Sequence, residues 1–241
     1  MGFDTETTGF DWESARIVSA ALVLLQAGTV QACESWLIDP GVPIPAGATA
    51  IHGITSEQAR SVGVPAAVAI PELLEALRNH VQAGHALVAF NARYDFTLLD
   101  REARRHGAAP LEGMLVVDPY VIDKHLDPYR RGPRKLADLA RHHQVELTQA
   151  HSAGADAKAA ATLAVTQCSC AAVMVQPRSS SEQQRADAVT AEWELVRGDL
   201  PALHGAQVRW AAEQAESLER YFRSQGRNQH CERAWPLVAA A

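Results

Sequence analysis

Apolar residues along the first two thirds of the chain fall into short continuous runs separated by stretches with helical spacing. The run over residues 16–25 predicts a strand buried on both faces, and Ala27-Gly28 predicts a hairpin turn into a second strand over residues 30–38. Shorter runs over residues 86–90 and 115–117 predict two more strands. Strands that form a hairpin first and alternate with helices later predict an α/β fold, with a mixed sheet covered by helices on both faces.

The segments between these strands predict helices. Thr55 and the polar residues after it predict the cap of a short helix, and a longer helix is predicted over residues 66–82, kinked near Pro71 and stopped by Gly84. A third helix follows residue 90, with an apolar stripe that would be buried and three arginines that would face outward: Arg101, Arg104 and Arg105. Further helices are predicted over residues 119–125, 135–143 and 155–170.

The composition of the sequence changes after residue 172 and predicts a division of the chain. Residues 1–172 form the predicted main domain, residues 173–184 a linker rich in proline and serine, and residues 185–241 a C-terminal helical extension. The last helical stretch carries four large side chains on roughly one face: Leu203, Trp210, Leu218 and Tyr221. We expect this face to dock onto the main domain, with a homodimer contact as the alternative.

The charge and the cysteines limit the classes of function. A formal charge of -6, from 28 acidic and 22 basic side chains, argues against a protein that coats duplex nucleic acid, because such binding relies on neutralised phosphates. It is compatible with an enzyme that grips only a strand end. The four cysteines form no CxxC pair, and there is no apolar run of membrane-spanning length, so we expect a cytoplasmic protein with reduced thiols and no membrane partner.

Acidic side chains in three distant segments carry the candidate chemistry. Asp4 and Glu6 are two residues apart, so on a strand both carboxylates project from one face. Asp95 lies in the first turn of a predicted helix, and Asp156 lies at the start of another. If the fold brings them together, these four carboxylates form a site for two hard divalent cations, Mg²⁺ or Mn²⁺.

A histidine and several smaller side chains surround these acids in the sequence. His151 precedes Asp156 by five residues, where a loop would hold its imidazole beside the metal site and let it take a proton from water. Gly9 would permit a tight turn, and Thr7 and Thr8 would approach a phosphate through their amides and hydroxyls. Asn91 is predicted to be the N-cap of the helix that carries Asp95 and is a weaker candidate for substrate contact.

Three segments together resemble the Exo I, Exo II and Exo III motifs of the DEDD exonuclease superfamily, in its histidine branch. They are Phe3-Asp4-Thr5-Glu6-Thr7-Thr8-Gly9, Val88-Ala89-Phe90-Asn91-Ala92-Arg93-Tyr94-Asp95-Phe96 and His151-Ser152-Ala153-Gly154-Ala155-Asp156. The segment Ile51-His52-Gly53-Ile54-Thr55 and the pair Asp118-Pro119 are also similar to DnaQ-like members, which include the proofreading epsilon subunit of bacterial DNA polymerase III. The resemblance covers roughly residues 1 to 170.

The resemblance implies the fold, the reaction and the residue roles. The fold would be ribonuclease H-like, with a five-stranded mixed sheet that contains one antiparallel strand. Asp4, Glu6, Asp95 and Asp156 would hold two metal ions, and His151 would act as general base in releasing nucleoside 5′-monophosphates from a 3′ end. His52 would contact the terminal nucleotide, and Phe10 or a nearby apolar side chain would wedge between terminal bases by stacking.

The sequence leaves several alternatives open. The leading hypothesis is a stand-alone 3′→5′ exonuclease that acts on single-stranded DNA. RNA is the rival substrate, and an inactive exonuclease fold that serves as a binding module is a more distant alternative. No clamp-binding peptide is recognisable. The basic run over residues 130–135 is either a solvated loop or a guide for the nucleic-acid strand. Because the first strand begins close to Met1, we expect further apolar residues ahead of it to raise the melting temperature.

Overall fold

The computed structural model describes residues 1–128, 130–148, 150–169 and 179–240. Six strands and nine helices are seen in these ranges. In chain order they are β1 Gly2–Thr7, β2 Ile17–Gln26, β3 Thr29–Asp39, α1 Ala46–His52, α2 Ser56–Val62, β4 Val64–Pro65, α3 Ala66–Gln82, β5 Leu87–Val88, α4 Ala92–Arg105, β6 Val116–Val117, α5 Pro119–Leu126, α6 Leu136–His142, α7 Ala153–Ser169, α8 Ser180–Val196 and α9 Leu200–Ser224.

The strands form one mixed sheet in the order β4-β3-β2-β1-β5-β6. Strand β2 is antiparallel to both of its neighbours, while the β1–β5, β5–β6 and β3–β4 pairs are parallel. The prediction of a mixed α/β sheet with one antiparallel strand is therefore confirmed. The predicted number of five strands is one too low, because the two-residue strand β4 is too short to produce an apolar pattern.

The hairpin between β2 and β3 follows the predicted turn. Ala27 and Gly28 both have positive φ, 48° and 77°, which is the backbone of a two-residue turn whose twist suits a hairpin. Thr55 caps α2 by accepting a hydrogen bond from the Gln58 amide, and α3 spans the predicted residues with Pro71 inside it. Helix α1 was missed, because Pro43 and Pro45 in the preceding segment indicated a loop.

Side-chain alternation along β1 shows that helices cover both faces of the sheet. A Cβ on Gly2 would lie 2.2 Å from the carbonyl oxygen of Ala157 in α7, so α7 packs directly on that face. The next residue, Phe3, points to the other face, where its ring centroid is 5.4 Å from that of Phe96 in α4. Strand β1 thus lies between α7 and α4, and each helix places residues near the end of β1.

The hydrophobic core extends from the sheet into the C-terminal helices. Trp193 of α8 and Trp210 of α9 are fully buried and belong to the same apolar cluster as Phe3, as does Trp235 near the C-terminus.

Helix α8 begins at Ser180, so residues 180–184 of the predicted linker form its first turn, while residues 173–178 lie outside the described ranges. On the predicted face of α9, Leu203 and Trp210 are buried, whereas Leu218 and Tyr221 are exposed.

Two side chains of α9 complete the edge of the sheet beside β6. Nδ1 of His204 accepts a hydrogen bond from the Val116 amide at 3.0 Å. Gln207 donates to the Val116 carbonyl at 3.0 Å and accepts from the Asp118 amide at 2.7 Å. These side chains replace the hydrogen bonds that a further strand would make, so α9 is built into the sheet.

The arginines of α4 differ from the prediction that they face outward. Arg101 is buried, with bonds to Glu13 and Asp100 and to the carbonyl oxygen of Val238. Arg105 is half-buried and pairs with Glu102. The prediction was wrong for these residues because acidic partners and the C-terminal residues cover this side of the helix.

Candidate active site

The carboxylates of Asp4, Glu6 and Asp156 converge at the end of β1. One oxygen from each lies within 4.8 Å of the others. Asp4 and Glu6 share the face of β1 that holds Gly2, and α7 packs against that face with Asp156 in its first turn. The close contact between Gly2 and Ala157 therefore brings the third carboxylate to the first two.

Asp95 reaches the same place from the opposite face of β1. It is buried in the first turn of α4, and its Oδ1 accepts a hydrogen bond from the Thr5 hydroxyl at 2.6 Å. Since Thr5 lies between Asp4 and Glu6, its side chain points to α4 rather than α7. Asp95 is close enough to raise the pKa of Asp4, yet it is not part of the group of three.

The electrostatics of these four acids favour a bound cation. Burial, followed by repulsion from Asp95, Asp156 and Glu6, raises the pKa of Asp4 well above its usual value. Burial, with repulsion from Asp156, raises the pKa of Glu6 to about 7. Burial also raises the pKa of Asp95 to about 7, even though the Thr5 hydroxyl bond lowers it. A positive charge among these groups would lower each of these raised pKa values and keep the carboxylates ionised.

The donor atoms fit a hard divalent ion. All are carboxylate oxygens, the ligands that Mg²⁺ and Mn²⁺ prefer. Oδ1 of Asp156 is buried and has no hydrogen-bond partner among the described residues, although Oδ2 accepts from the His151 amide at 3.1 Å. An unpaired, buried carboxylate oxygen beside two other carboxylates is the feature that a metal ligand would show in the absence of its ion.

His151 lies in the loop before α7 with its side chain exposed. Its φ of 69° is in the left-handed region, and this conformation directs its amide to Asp156. The imidazole is near enough to lower the pKa of Asp156, after the larger effects of burial and the amide bond. The structure thus places His151 at the rim of the carboxylate group, within an exposed loop.

The loop after β1 is held by internal bonds. The Thr7 hydroxyl bonds to the Gly9 carbonyl at 2.9 Å and to the Tyr94 hydroxyl at 2.8 Å. The Thr8 hydroxyl accepts from the Arg16 amide at 2.9 Å, and the Thr8 amide donates to the Arg16 carbonyl at 3.0 Å. These groups of Thr7 and Thr8 shape the loop, which differs from the expectation that they are free to approach a phosphate.

Gly9 and Phe10 leave the tip of this loop open. A Cβ on Gly9 would meet no atom within 4 Å, and Gly9 is not among the residues with positive φ. The backbone conformation at this position therefore does not itself require glycine. Phe10 is 86 % exposed, so its ring is available for contact with another molecule.

His52 and Asn91 lie beside the loop and the helix that carry the acids. Nδ1 of His52 accepts from the Ile54 amide at 3.1 Å, and burial lowers its pKa while the nearby backbone of Thr7 raises it. Nε2 of His52 is buried without a hydrogen-bond partner among the described residues. Asn91 occupies the N-cap position of α4 with φ of 62°, but its side chain makes no capping bond.

Asp118 performs the capping that was predicted for Asn91. This buried carboxylate accepts hydrogen bonds from the amides of Asn91 and Ala92, each at 3.0 Å, and from the Tyr120 amide at 2.9 Å. It therefore holds the start of α4 and the start of α5. The order Asp118-Pro119 is a sequence signal for a capping residue before a helix, but it gives no sign that a second helix shares the cap.

Comparison with known proteins places this site in a family. Residues 1–164 match the RNase_T family model, described as Exonuclease. A DNA polymerase III PolC-type from Streptococcus agalactiae is 32 % identical over 162 residues, which are 67 % of this chain and 10 % of the relative. A DNA polymerase III subunit epsilon-like protein from Rhodobacter capsulatus is 41 % identical over 103 residues, 42 % of this chain and 14 % of that protein. The chain thus spans about a tenth of the length of the PolC-type relatives.

Solved structures share the fold. Exonuclease I of E. coli in complex with a dT13 oligonucleotide aligns with a TM-score of 0.53 and 22 % identity, covering 68 % of this chain and 39 % of that one. Exonuclease X in complex with 5′ overhanging duplex DNA aligns with a TM-score of 0.50 and 22 % identity, covering 78 % and 97 %. The acidic motifs are assembled at the end of β1, and the family model matches more than half of the residues. The chain therefore belongs to the exonuclease family of the DEDD superfamily.

Proposed function

We propose that this protein is a metal-dependent 3′→5′ exonuclease that degrades single-stranded DNA to nucleoside 5′-monophosphates. The convergence of Asp4, Glu6 and Asp156 within 4.8 Å, with Asp95 beside them, carries this proposal. The family match supports the reaction, and the names of the DNA polymerase III relatives favour DNA as the substrate.

The four carboxylates supply the ligands for two divalent ions. Asp4, Glu6 and Asp156 would hold the ions together, and Asp95 would contribute from the opposite face of β1. Bound Mg²⁺ or Mn²⁺ would polarise the phosphodiester and make water more acidic. The Thr5 hydroxyl fixes the orientation of the Asp95 carboxylate, and the His151 amide does the same for Asp156.

His151 accepts the proton of the attacking water in this proposal. Its loop is exposed and joins directly to the helix that holds Asp156, and the imidazole is close enough to lower the pKa of that carboxylate. In this proposal Phe10 stacks on a terminal base and His52 contacts the terminal nucleotide.

A strand-shortening assay tests this function. Single-stranded DNA and RNA oligomers with a 5′ label are incubated with the protein and Mg²⁺ or Mn²⁺, and the products are separated by length. We expect stepwise shortening of DNA from the 3′ end that chelation abolishes, and a loss of at least roughly 100-fold in Asp4→Asn and Asp156→Asn. Asp187→Asn, an exposed position in α8, is the matched control and should keep full activity.

Each other outcome of the assay has a definite meaning. Faster shortening of RNA than of DNA would make the protein an exoribonuclease with the same site. Shortening that persists in Asp4→Asn and Asp156→Asn would contradict the assignment of these acids. A wild-type protein that leaves both oligomers intact with either metal would favour the binding-module alternative.

A further inference from the structure

A cavity of about 170 Å³ lies beyond the ends of β5 and β6. Asn91 and Asp118, which follow β5 and β6, form one wall of this cavity. The opposite wall comes from α9 and from residues 231–235, beyond the segment that matches the family model. Since neighbouring strands are about 4.8 Å apart, β6 is about 10 Å from β1, within reach of a strand whose end lies at Asp4.

Two cations line this cavity, and neither is paired with a carboxylate among the described residues. Nε of Arg93 donates to the Ala234 carbonyl at 2.7 Å, and its other two nitrogens make no hydrogen bond within the described part of the chain. Nζ of Lys124 lies 4.7 Å from the ring centroid of Tyr120. Glu232 also lines the cavity, but its Oε1 accepts from the amides of Arg233 and Ala234.

Arg93 and Lys124 differ from three arginines whose charges are paired with carboxylates. Arg101 pairs with Glu13 and Asp100, and Arg130 and Arg134 pair with Asp123. Arg93 is half-buried, and burial is the main effect that lowers its pKa. Glu232 and Asp118 are close enough to raise the pKa of Arg93 in part, but neither forms a salt bridge with it among the described residues, and an external anion would compensate for the remaining loss of hydration.

We propose that this cavity binds a phosphodiester of the nucleic-acid strand on the 5′ side of the bond that is cleaved. The inference rests on the proposed exonuclease function and adds a subsite to it. Arg93 and Lys124 bind the phosphate oxygens, and Arg93 does so with the two nitrogens that make no other hydrogen bond in the described part of the chain. The Tyr120 ring holds the Lys124 ammonium in place. The C-terminal residues thereby become part of the substrate path, since the Ala234 carbonyl orients Arg93.

The basic run over residues 130–135 is a weaker candidate for this role. Arg130 and Arg134 are both committed to Asp123, at 3.0 Å for Arg130, and Arg134 also bonds to the Asp127 and Arg130 carbonyls. Their charges stabilise the loop between α5 and α6. Arg93 and Lys124 are therefore better candidates for a contact with the strand than Arg130 and Arg134.

The test compares a long and a minimal substrate in the full-length protein. Thymidine 5′-p-nitrophenyl phosphate has no upstream phosphodiester, whereas a single-stranded DNA oligomer has many. In the double variant Arg93→Gln/Lys124→Gln we expect KM for the oligomer to rise about 10-fold or more, and the slope of log(kcat/KM) against log[salt] to decrease by about 1 to 1.5. We expect kcat/KM for the minimal substrate to stay unchanged.

Two further variants serve as controls. Arg220→Gln/Arg223→Gln removes the same charge from exposed positions of α9 and should change neither KM nor the salt slope. Lys124→Gln alone leaves the Arg93 contact to Ala234 intact, so it should retain the melting temperature of the wild type and still show part of the KM effect. An oligomer KM and salt slope that match the control, or an equal loss on both substrates, would overturn the subsite.

Binding measurements separate this inference from the function on which it rests. If the wild type cleaves neither substrate, the proposed function fails, and anisotropy of a labelled oligomer still reports whether Arg93→Gln/Lys124→Gln weakens strand binding. Calorimetry with thymidine 5′-monophosphate and with inorganic phosphate distinguishes a strand phosphate from a free one. We expect unchanged affinity for both in the double variant, and a selective loss there would make the cavity a mononucleotide or phosphate site instead.

Discussion

The alternation of side chains along β1 decides which helix supplies each acidic neighbour. Asp4 and Glu6 point to α7 and meet Asp156, while Thr5 points to α4 and meets Asp95. One six-residue strand thus collects carboxylates from two helices that lie on opposite faces of the sheet. Thr5 acts as the connection to the second helix, a role that its position between two acids conceals in the sequence.

Replacing Thr5 tests this connection. Thr5→Val keeps the shape of the side chain and removes the hydrogen bond to Asp95, a bond to a charged group that contributes roughly 1.5–3 kcal/mol. We expect an activity loss of about 10-fold and a higher Mg²⁺ concentration for half-maximal rate. Thr166→Val, which removes a hydroxyl bond within α7 at 2.9 Å, is the control. Equal activity of the two variants would mean that Thr5 does not position Asp95.

At the scale of elements, the contact between β1 and α7 determines the geometry of the site. Gly2 permits an approach that no other residue would, since its Cβ would lie 2.2 Å from a backbone oxygen. The separation of β1 and α7 then sets the separation of Asp156 from Asp4 and Glu6. Stability and activity are linked through this one contact.

Gly2→Ala should therefore reduce both stability and activity. We expect a destabilisation of about 1–3 kcal/mol, because α7 must move away from β1 to admit the methyl group. Gly205→Ala in α9 is the opposite case, since nothing lies within 4 Å of its Cβ, and it should stabilise the protein by up to about 1 kcal/mol. Chemical denaturation measures both variants, and a Gly2→Ala protein as stable as wild type would contradict the close packing.

The elements were more predictable from the sequence than their junctions. Helix α3 and the β2–β3 hairpin follow local signals, namely apolar spacing, capping residues and a turn pair, and they lie where those signals placed them. The two-residue strand β4 and the shared cap Asp118 depend on contacts between distant segments. Arg101 was misplaced for the same reason, because its burial depends on Glu13 and Val238.

In the candidate site too, residues in local motifs were predictable, whereas residues whose roles depend on distant contacts were not. The acidic motifs identified Asp4, Glu6, Asp95 and Asp156, because their spacing matches a known family. Nothing local indicated that Tyr94 would bond to Thr7 and lock the loop after β1, since its spacing also suits a helix core position. The free cations Arg93 and Lys124 could be recognised only once the partners of the other arginines were known.

At the scale of the whole molecule, the C-terminal helices complete the fold. Gln207 and His204 satisfy the open edge of β6, and Trp193 and Trp210 extend the core. Three free cysteines are seen in the described residues, and none of the helices described there is long and apolar enough to cross a membrane. The extension is thus joined to the sheet by hydrogen bonds as well as by apolar contact.

Removing the bonds of Gln207 should weaken this junction. Gln207→Leu leaves the Asp118 amide and the Val116 carbonyl buried without partners, and we expect a destabilisation of about 2–4 kcal/mol. Gln183→Leu on the exposed side of α8 is the control and should change stability little. A Gln207→Leu protein with wild-type stability would show that α9 is not needed at the edge of the sheet.

The packing of α5 on α9 predicts a dependence of stability on pH. His125 stacks on Trp210 with centroids 3.8 Å apart, and burial lowers its pKa to about 4, with Glu192 raising it and Arg185 and Arg209 lowering it. The pKa of His125 in the folded protein lies below the ordinary value near 6.5. The stability contributed by neutral His125 is therefore complete above pH 6.5 and is lost as the pH falls towards 4.

The contribution of His125 to stability is measured by comparing the wild type with a variant that cannot titrate at this position. His125→Phe keeps an aromatic ring against Trp210 and does not titrate. We expect the wild type to lose up to roughly 3 kcal/mol relative to this variant between pH 7 and pH 4, measured by urea unfolding. Parallel pH profiles for the two proteins would contradict a buried, neutral His125.

The central claim is that Asp4, Glu6 and Asp156 form one metal centre. Crystals grown with Mn²⁺ and thymidine 5′-monophosphate, measured at the manganese absorption edge, locate the ion directly. We expect anomalous density within about 2–2.6 Å of oxygens from all three carboxylates, with Oδ1 of Asp156 among them. Anomalous density elsewhere, or none between these residues at a saturating Mn²⁺ concentration, would contradict it.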